Sequence, residues 1–107
     1  VPAGQPLASA ARNGTSVQLT FLNHAPYPLK VFYVGTAHEE LEMGALGGDG
    51  TSLTFETSDA HAWAVRSWGG VKVLELAPHE GRAARTTIDL YECDLSSAAR
   101  RLHYGWN

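Results

Sequence analysis

The chain has 107 residues, 44% of them hydrophobic and 18% charged, with a formal net charge of −3. That length suits one domain with one core, and a mildly acidic chain without a basic block points away from nucleic acid and from polybasic membrane contact. No apolar run approaches the roughly 20 residues that cross a bilayer as a helix, and the single cysteine, Cys93, rules out an internal disulfide or a cysteine-based zinc cluster.

Residues 1–14, VPAGQPLASAARNG, carry little apolar bulk and read as a flexible arm or linker, leaving 15–107 as a single domain. From Ser16 to Phe21 the pattern alternates, with Val17, Leu19 and Phe21 on one face, as in a half-buried strand. Pro26 and Pro28 break it, because prolines so close cannot sit inside a sheet. Leu29–Val34 is β-branched and aromatic, which suits a strand covered on both faces. Glu40–Ala45 contains good helix formers, but glycines on both sides leave too few residues for a stable helix. It reads instead as a strand with Leu41, Met43 and Ala45 on one face. Thr51–Thr57 alternates again around Leu53 and Phe55. After the polar break Ser58-Asp59-Ala60, His61–Ser67 is a strand in which positions 61, 63 and 65 share one face and 62, 64 and 66 the other. Trp68-Gly69-Gly70 has the chemistry of a hairpin turn into Val71–Leu76, and Arg85–Tyr91 is the last strand. Asp94 caps a short helix carrying Leu95, Ala98, Ala99 and Leu102, with Gly105 as its stop. The expected fold is all-β: an antiparallel β-sandwich of seven or eight strands with one short C-terminal helix.

The histidines at 24, 38, 61, 79 and 103 are scattered, and none pairs with another at a metal-binding spacing beside a carboxylate. Gly44–Gly50 lacks the Lys-Ser/Thr end and the following helix of a phosphate loop, and no serine stands in a G-x-S-x-G setting. No set of acid, base and nucleophile is visible, so neither enzymatic activity, nor a catalytic residue, nor a metal or other cofactor is expected. The informative stretch is Thr54–Gly70, which places a threonine, a histidine and a tryptophan on neighbouring positions of two strands. His61 and Trp63 on one face make either a core corner or the wall of a small polar-tipped pocket.

These residues also resemble a known family. Phe21-x-Asn23, then Pro26, then Val31-Phe32-Tyr33-Val34, then Leu46 with Gly48–Gly50, and above all Thr57-x-x-x-His61-x-Trp63-x-x-Arg66 follow the order and spacing of motifs in the β domain of the von Hippel–Lindau tumour suppressor. Arg85–Tyr91 is similar to that domain's last strand. The resemblance covers roughly two thirds of the chain. It implies a non-enzymatic module that binds an extended peptide or protein segment containing proline or hydroxyproline; in the family a 4-hydroxyproline is read through aromatic walls, a hydroxyl and a histidine. Carried over, the ligand-binding residues are Tyr33, Met43, Thr57, His61 and Trp63. Thr57 replaces a serine and keeps its hydroxyl, whereas Met43 or its neighbour Gly44 falls where the family has a pocket tyrosine. The helical domain that recruits a ubiquitin-ligase adaptor is not matched, so adaptor recruitment is not expected. Two other readings stay open: a structural or accessory domain of a larger protein in which His61 and Trp63 are only core, and a binder of small ligands or sugars.

Overall fold

The structure, a computed structural model, describes residues 6–91. It is all-β, with seven strands in two sheets: β1 (Ser16–Asn23), β2 (Leu29–Val34), β3 (Glu40–Leu46), β4 (Thr51–Ser58), β5 (Ala62–Ser67), β6 (Lys72–Leu76) and β7 (Arg85–Leu90). One sheet has the order β4-β1-β7 and the other β3-β2-β5-β6. No helix occurs among the described residues, and the short helix expected from Asp94 onward lies outside them, as do Cys93 and His103.

The inner faces follow the alternation in the sequence. Leu19 and Phe21 from β1 meet Leu29 and Val31 from β2 and Trp63 and Val65 from β5, with Leu46, Val73 and Leu90 closing the same buried cluster. Each fully buried aliphatic or phenyl side chain contributes about 1.5–3 kcal/mol relative to exposure, so this layer between the sheets is the main source of stability. Asn23 is fully buried at the end of β1. Its Nδ2 donates to the carbonyls of Tyr27 and Gly47, and its Oδ1 accepts from the Ala25 amide. The asparagine of the Phe21-x-Asn23 motif thus ties two turns together.

Three features depart from expectation. The sheets are not wholly antiparallel, because β1 pairs in parallel with β7. Both strands start at the same end of the molecule: β6 finishes beside the start of β5, and the connection through residues 77–84 delivers β7 next to Gln18. Within β3, a bulge opposite Val31 and Phe32 leaves Met43 without a cross-strand partner. Leu41 and Met43 therefore do not share one regular face. Leu41 stands opposite Tyr33, while Gly44 and Leu46 stand opposite Val31 and Leu29. A Cβ on Gly44 would come within 2.8 Å of Leu53 Cδ1, so a larger residue there requires the Leu53 side chain to shift. Finally, the stretch expected as a linker includes a segment held by the fold. Leu7 packs with Phe32 against Val34, Ala62 and Ala64 on the outer face of the four-stranded sheet, and Ser9 is buried there.

Candidate functional site

Tyr33 near the end of β2, Thr57 near the end of β4 and Trp63 near the start of β5 meet at one end of the two sheets. His61 belongs to the turn just before β5 rather than to the strand. Thr57 Oγ1 and His61 Nδ1 are 2.8 Å apart and hydrogen-bonded, and the imidazole tautomer decides which of them donates. Tyr33 meets the His61 ring edge-on, with centroids 5.1 Å apart, and meets Trp63 edge-on at 5.8 Å. Phe55 and Phe21 pack on the other sides of Trp63 at 4.9 and 5.8 Å.

Four of the five expected residues thus form one chain of contacts, but they are not equally accessible. Tyr33, Thr57 and His61 are half-buried. Trp63 is only 3% exposed and is a member of the main core. Its Nε1 is buried and has no partner among the described residues. An orphan donor of this kind costs roughly 1–3 kcal/mol. Met43 stands exposed at the β3 bulge, one strand away from Tyr33. The exposed apolar residue directly opposite Tyr33 is Leu41. The resemblance placed Met43 at the pocket wall, whereas the strand register puts Leu41 opposite Tyr33 and leaves Met43 unpaired.

The turn between Thr57 and His61 is short. The His61 amide donates to the Ser58 carbonyl at 3.1 Å, and the Ala60 amide donates to Ser58 Oγ at 3.0 Å. Its middle residue, Asp59, is 2% exposed. One carboxylate oxygen accepts from the Thr15 amide and from Arg12 Nη1, and the other accepts from the Gly81 amide. The Gly81 and Thr15 hydrogen bonds, more than the nearby Arg12 charge, hold the Asp59 carboxyl below the usual carboxylate range, with desolvation opposing them. Asp59 looked like a polar loop residue in the sequence, and only its buried position marks it out.

Arg66, the last residue of the Thr57–Arg66 motif, is not part of this corner. It lies among the outer-face residues and makes a bidentate pair with Glu40, both bonds 2.9 Å long. Hydrogen bonding from Arg66, ahead of opposing desolvation, lowers the Glu40 pKa. Lys72 adds contacts to Glu40 at 3.8 Å and to Glu75 at 2.9 Å. Two cavities, of about 410 and 330 Å³, lie beside this charged network, along Lys72–Glu75 and between Leu7, Val34, His38 and Glu40. Among the described residues no group of three His, Cys, Asp or Glu side chains could hold a metal ion, and no helix is long and apolar enough to cross a membrane.

Compared with models of known protein families and with curated proteins, the chain matches none.

Proposed function

We propose that this chain is a non-enzymatic recognition module that binds an extended peptide segment at the Tyr33–Thr57–His61 corner and reads a hydroxyl on it, as on 4-hydroxyproline. The observation that carries this reading is the half-buried Thr57–His61 hydrogen bond beside the edge of Tyr33. Whichever tautomer the imidazole adopts, that bond leaves the pair with one spare donor and one spare acceptor. If the Thr57 hydroxyl donates to Nδ1, Nε2–H remains a donor and Oγ1 an acceptor. If Nδ1–H donates to Oγ1, Nε2 remains an acceptor and the hydroxyl proton is free. A ligand hydroxyl is itself one donor and one acceptor, so it complements both states. A ligand without it leaves polar groups unpaired, at a cost of about 1–3 kcal/mol. Tyr33 supplies a flat wall, Trp63 backs it from the core, and the exposed Leu41 and Met43 on β3 offer apolar contact to flanking residues of the segment.

One observation favours a second reading, a structural or accessory domain of a larger protein. Trp63 is buried in the core with Phe21 and Phe55, which is what a purely structural tryptophan does. Titration of the folded domain with two matched peptides, one bearing proline and one 4-hydroxyproline, separates the readings by NMR. Saturable shifts at Thr57, His61 and Tyr33 with a preference for hydroxyproline of about tenfold to a hundredfold support hydroxyl reading. Equal response to both peptides leaves a general peptide groove, and no response to either favours the structural domain.

A further inference from the structure

We infer that the segment from Ser9 to Thr15 is a built-in clamp that positions the Thr57–His61 pair, acting through the carboxylate of Asp59. The inference rests on the recognition reading of that corner and names what holds the corner in register. Thr57 and His61 are joined by three residues, whose own hydrogen bonds are the two centred on Ser58. Everything else that fixes the turn comes from outside it. The Asp59 amide donates to the Thr15 carbonyl and the Thr15 amide donates back to the Asp59 carboxylate, both at 3.0 Å. Arg12 adds a charged bond to the same oxygen. From the far side, Gly81 donates to the other oxygen and His79 to the Asp59 carbonyl.

One residue past the turn's core the same segment acts again. The Ala10 amide donates to the Ala60 carbonyl at 2.8 Å. Ser9 Oγ accepts from the Ala62 amide and donates to the Val34 carbonyl, bridging the strands that carry Trp63 and Tyr33. The chain approaches so closely that only glycine fits at position 14. A Cβ there would stand 2.5 Å from Asp59 Oδ1 and 2.8 Å from the Ala60 nitrogen, and closer still to Ser58 Oγ. The segment thus grips both sides of His61, at residues 59–60 and at 62. Asp59 and Gly14 act on the corner through the backbone on either side of His61 and are positioning residues.

The test uses the full chain without ligand and reads the His61 ring nitrogens by long-range proton–nitrogen NMR. In Asp59→Asn the side chain keeps one acceptor oxygen and gains a donor that faces amide hydrogens. In Gly14→Ala the added methyl must displace the segment or the turn. Both variants are expected to move the His61 ring signals from a single hydrogen-bonded tautomer to the averaged pattern of a free imidazole, with the Trp63 indole and Val65 methyl signals unchanged. An unchanged His61 pattern in a folded variant overturns the inference. Gly14→Ala leaves the Asp59 carboxylate in place and keeps the test decisive where Asp59→Asn does not fold. The peptide titration stays separate. If the wild-type chain binds neither peptide, the recognition reading fails while the His61 pattern still decides the clamp. If it binds and both variants keep their affinity and ring signals, the clamp fails and recognition stands.

Discussion

The centre of the molecule and the corner at its end are held by different physics. At the centre, Phe21, Val31, Trp63 and Val65 interdigitate between the sheets, and apolar area removed from water does the work. At the corner, Thr57, Asp59 and His61 are held by directed polar contacts from three separate parts of the chain: residues 9–15, the Ser58–His61 turn and the 79–81 loop. Burial is tolerant of detail but worth a great deal. Directed contacts are worth little each, but they place atoms to within a few tenths of an ångström. Changes at the centre should therefore unfold the protein, and changes at the corner should leave it folded with the pair displaced.

The largest effect is expected from Trp63→Ala, which removes the aromatic shared by Phe21, Phe55 and Tyr33. It should lower stability by about 3–5 kcal/mol, read as a shift of the urea midpoint at constant slope. A loss below about 1 kcal/mol would mean that Trp63 is not core. Asn23→Ala comes next. It strands the Tyr27 and Gly47 carbonyls and the Ala25 amide, and should cost about 1–3 kcal/mol in the same measurement. Thr57→Val keeps the β-branched shape and removes the hydroxyl, so its stability loss should stay near 0.5–1.5 kcal/mol. The smallest effect belongs to the outer face. A double-mutant cycle on Glu40 and Arg66, whose side chains are 25% and 28% exposed, should give a coupling below about 1 kcal/mol. Arg66 depresses the Glu40 pKa in the folded state. That coupling is then fully present above the unfolded carboxyl pKa and disappears as pH falls through the lower folded value. Asp59 follows the same sign, so acid should loosen the corner before the apolar centre. Amide exchange at Ala60 and Val65 followed below about pH 4 checks this order; simultaneous opening of both would break the distinction.

The same division explains what could be read from the chain alone. Alternation around Leu19, Phe21, Leu53 and Phe55 places the strands, because period-two hydropathy is what a half-buried strand needs. It says nothing about direction, so the parallel pairing of β1 with β7 was not legible. It is also deaf to a bulge, so Gly44 rather than Met43 stands opposite Val31. The Thr57–His61–Trp63 grouping was legible as a motif. The burial of Trp63 and the role of Asp59 were not, since both depend on which backbone amides arrive from distant positions. Residues 9–14, inside the stretch 1–14 expected as a linker, look like one for the same reason: Ser9 and Gly14 contribute hydrogen bonds and closeness rather than apolar bulk.

In the function proposed above, Thr57 and His61 form a hydroxyl-reading pair at the edge of a fold whose stability comes mainly from the apolar centre. The most direct test is the ratio of affinities for the hydroxyproline and proline peptides, measured on the wild-type chain and on Thr57→Val at matched stability. The account expects a clear preference for hydroxyproline in the wild type that collapses toward unity in Thr57→Val, while affinity for the proline peptide is nearly unchanged. A preference that survives the loss of the Thr57 hydroxyl, or a wild-type chain with no preference at all, would contradict it.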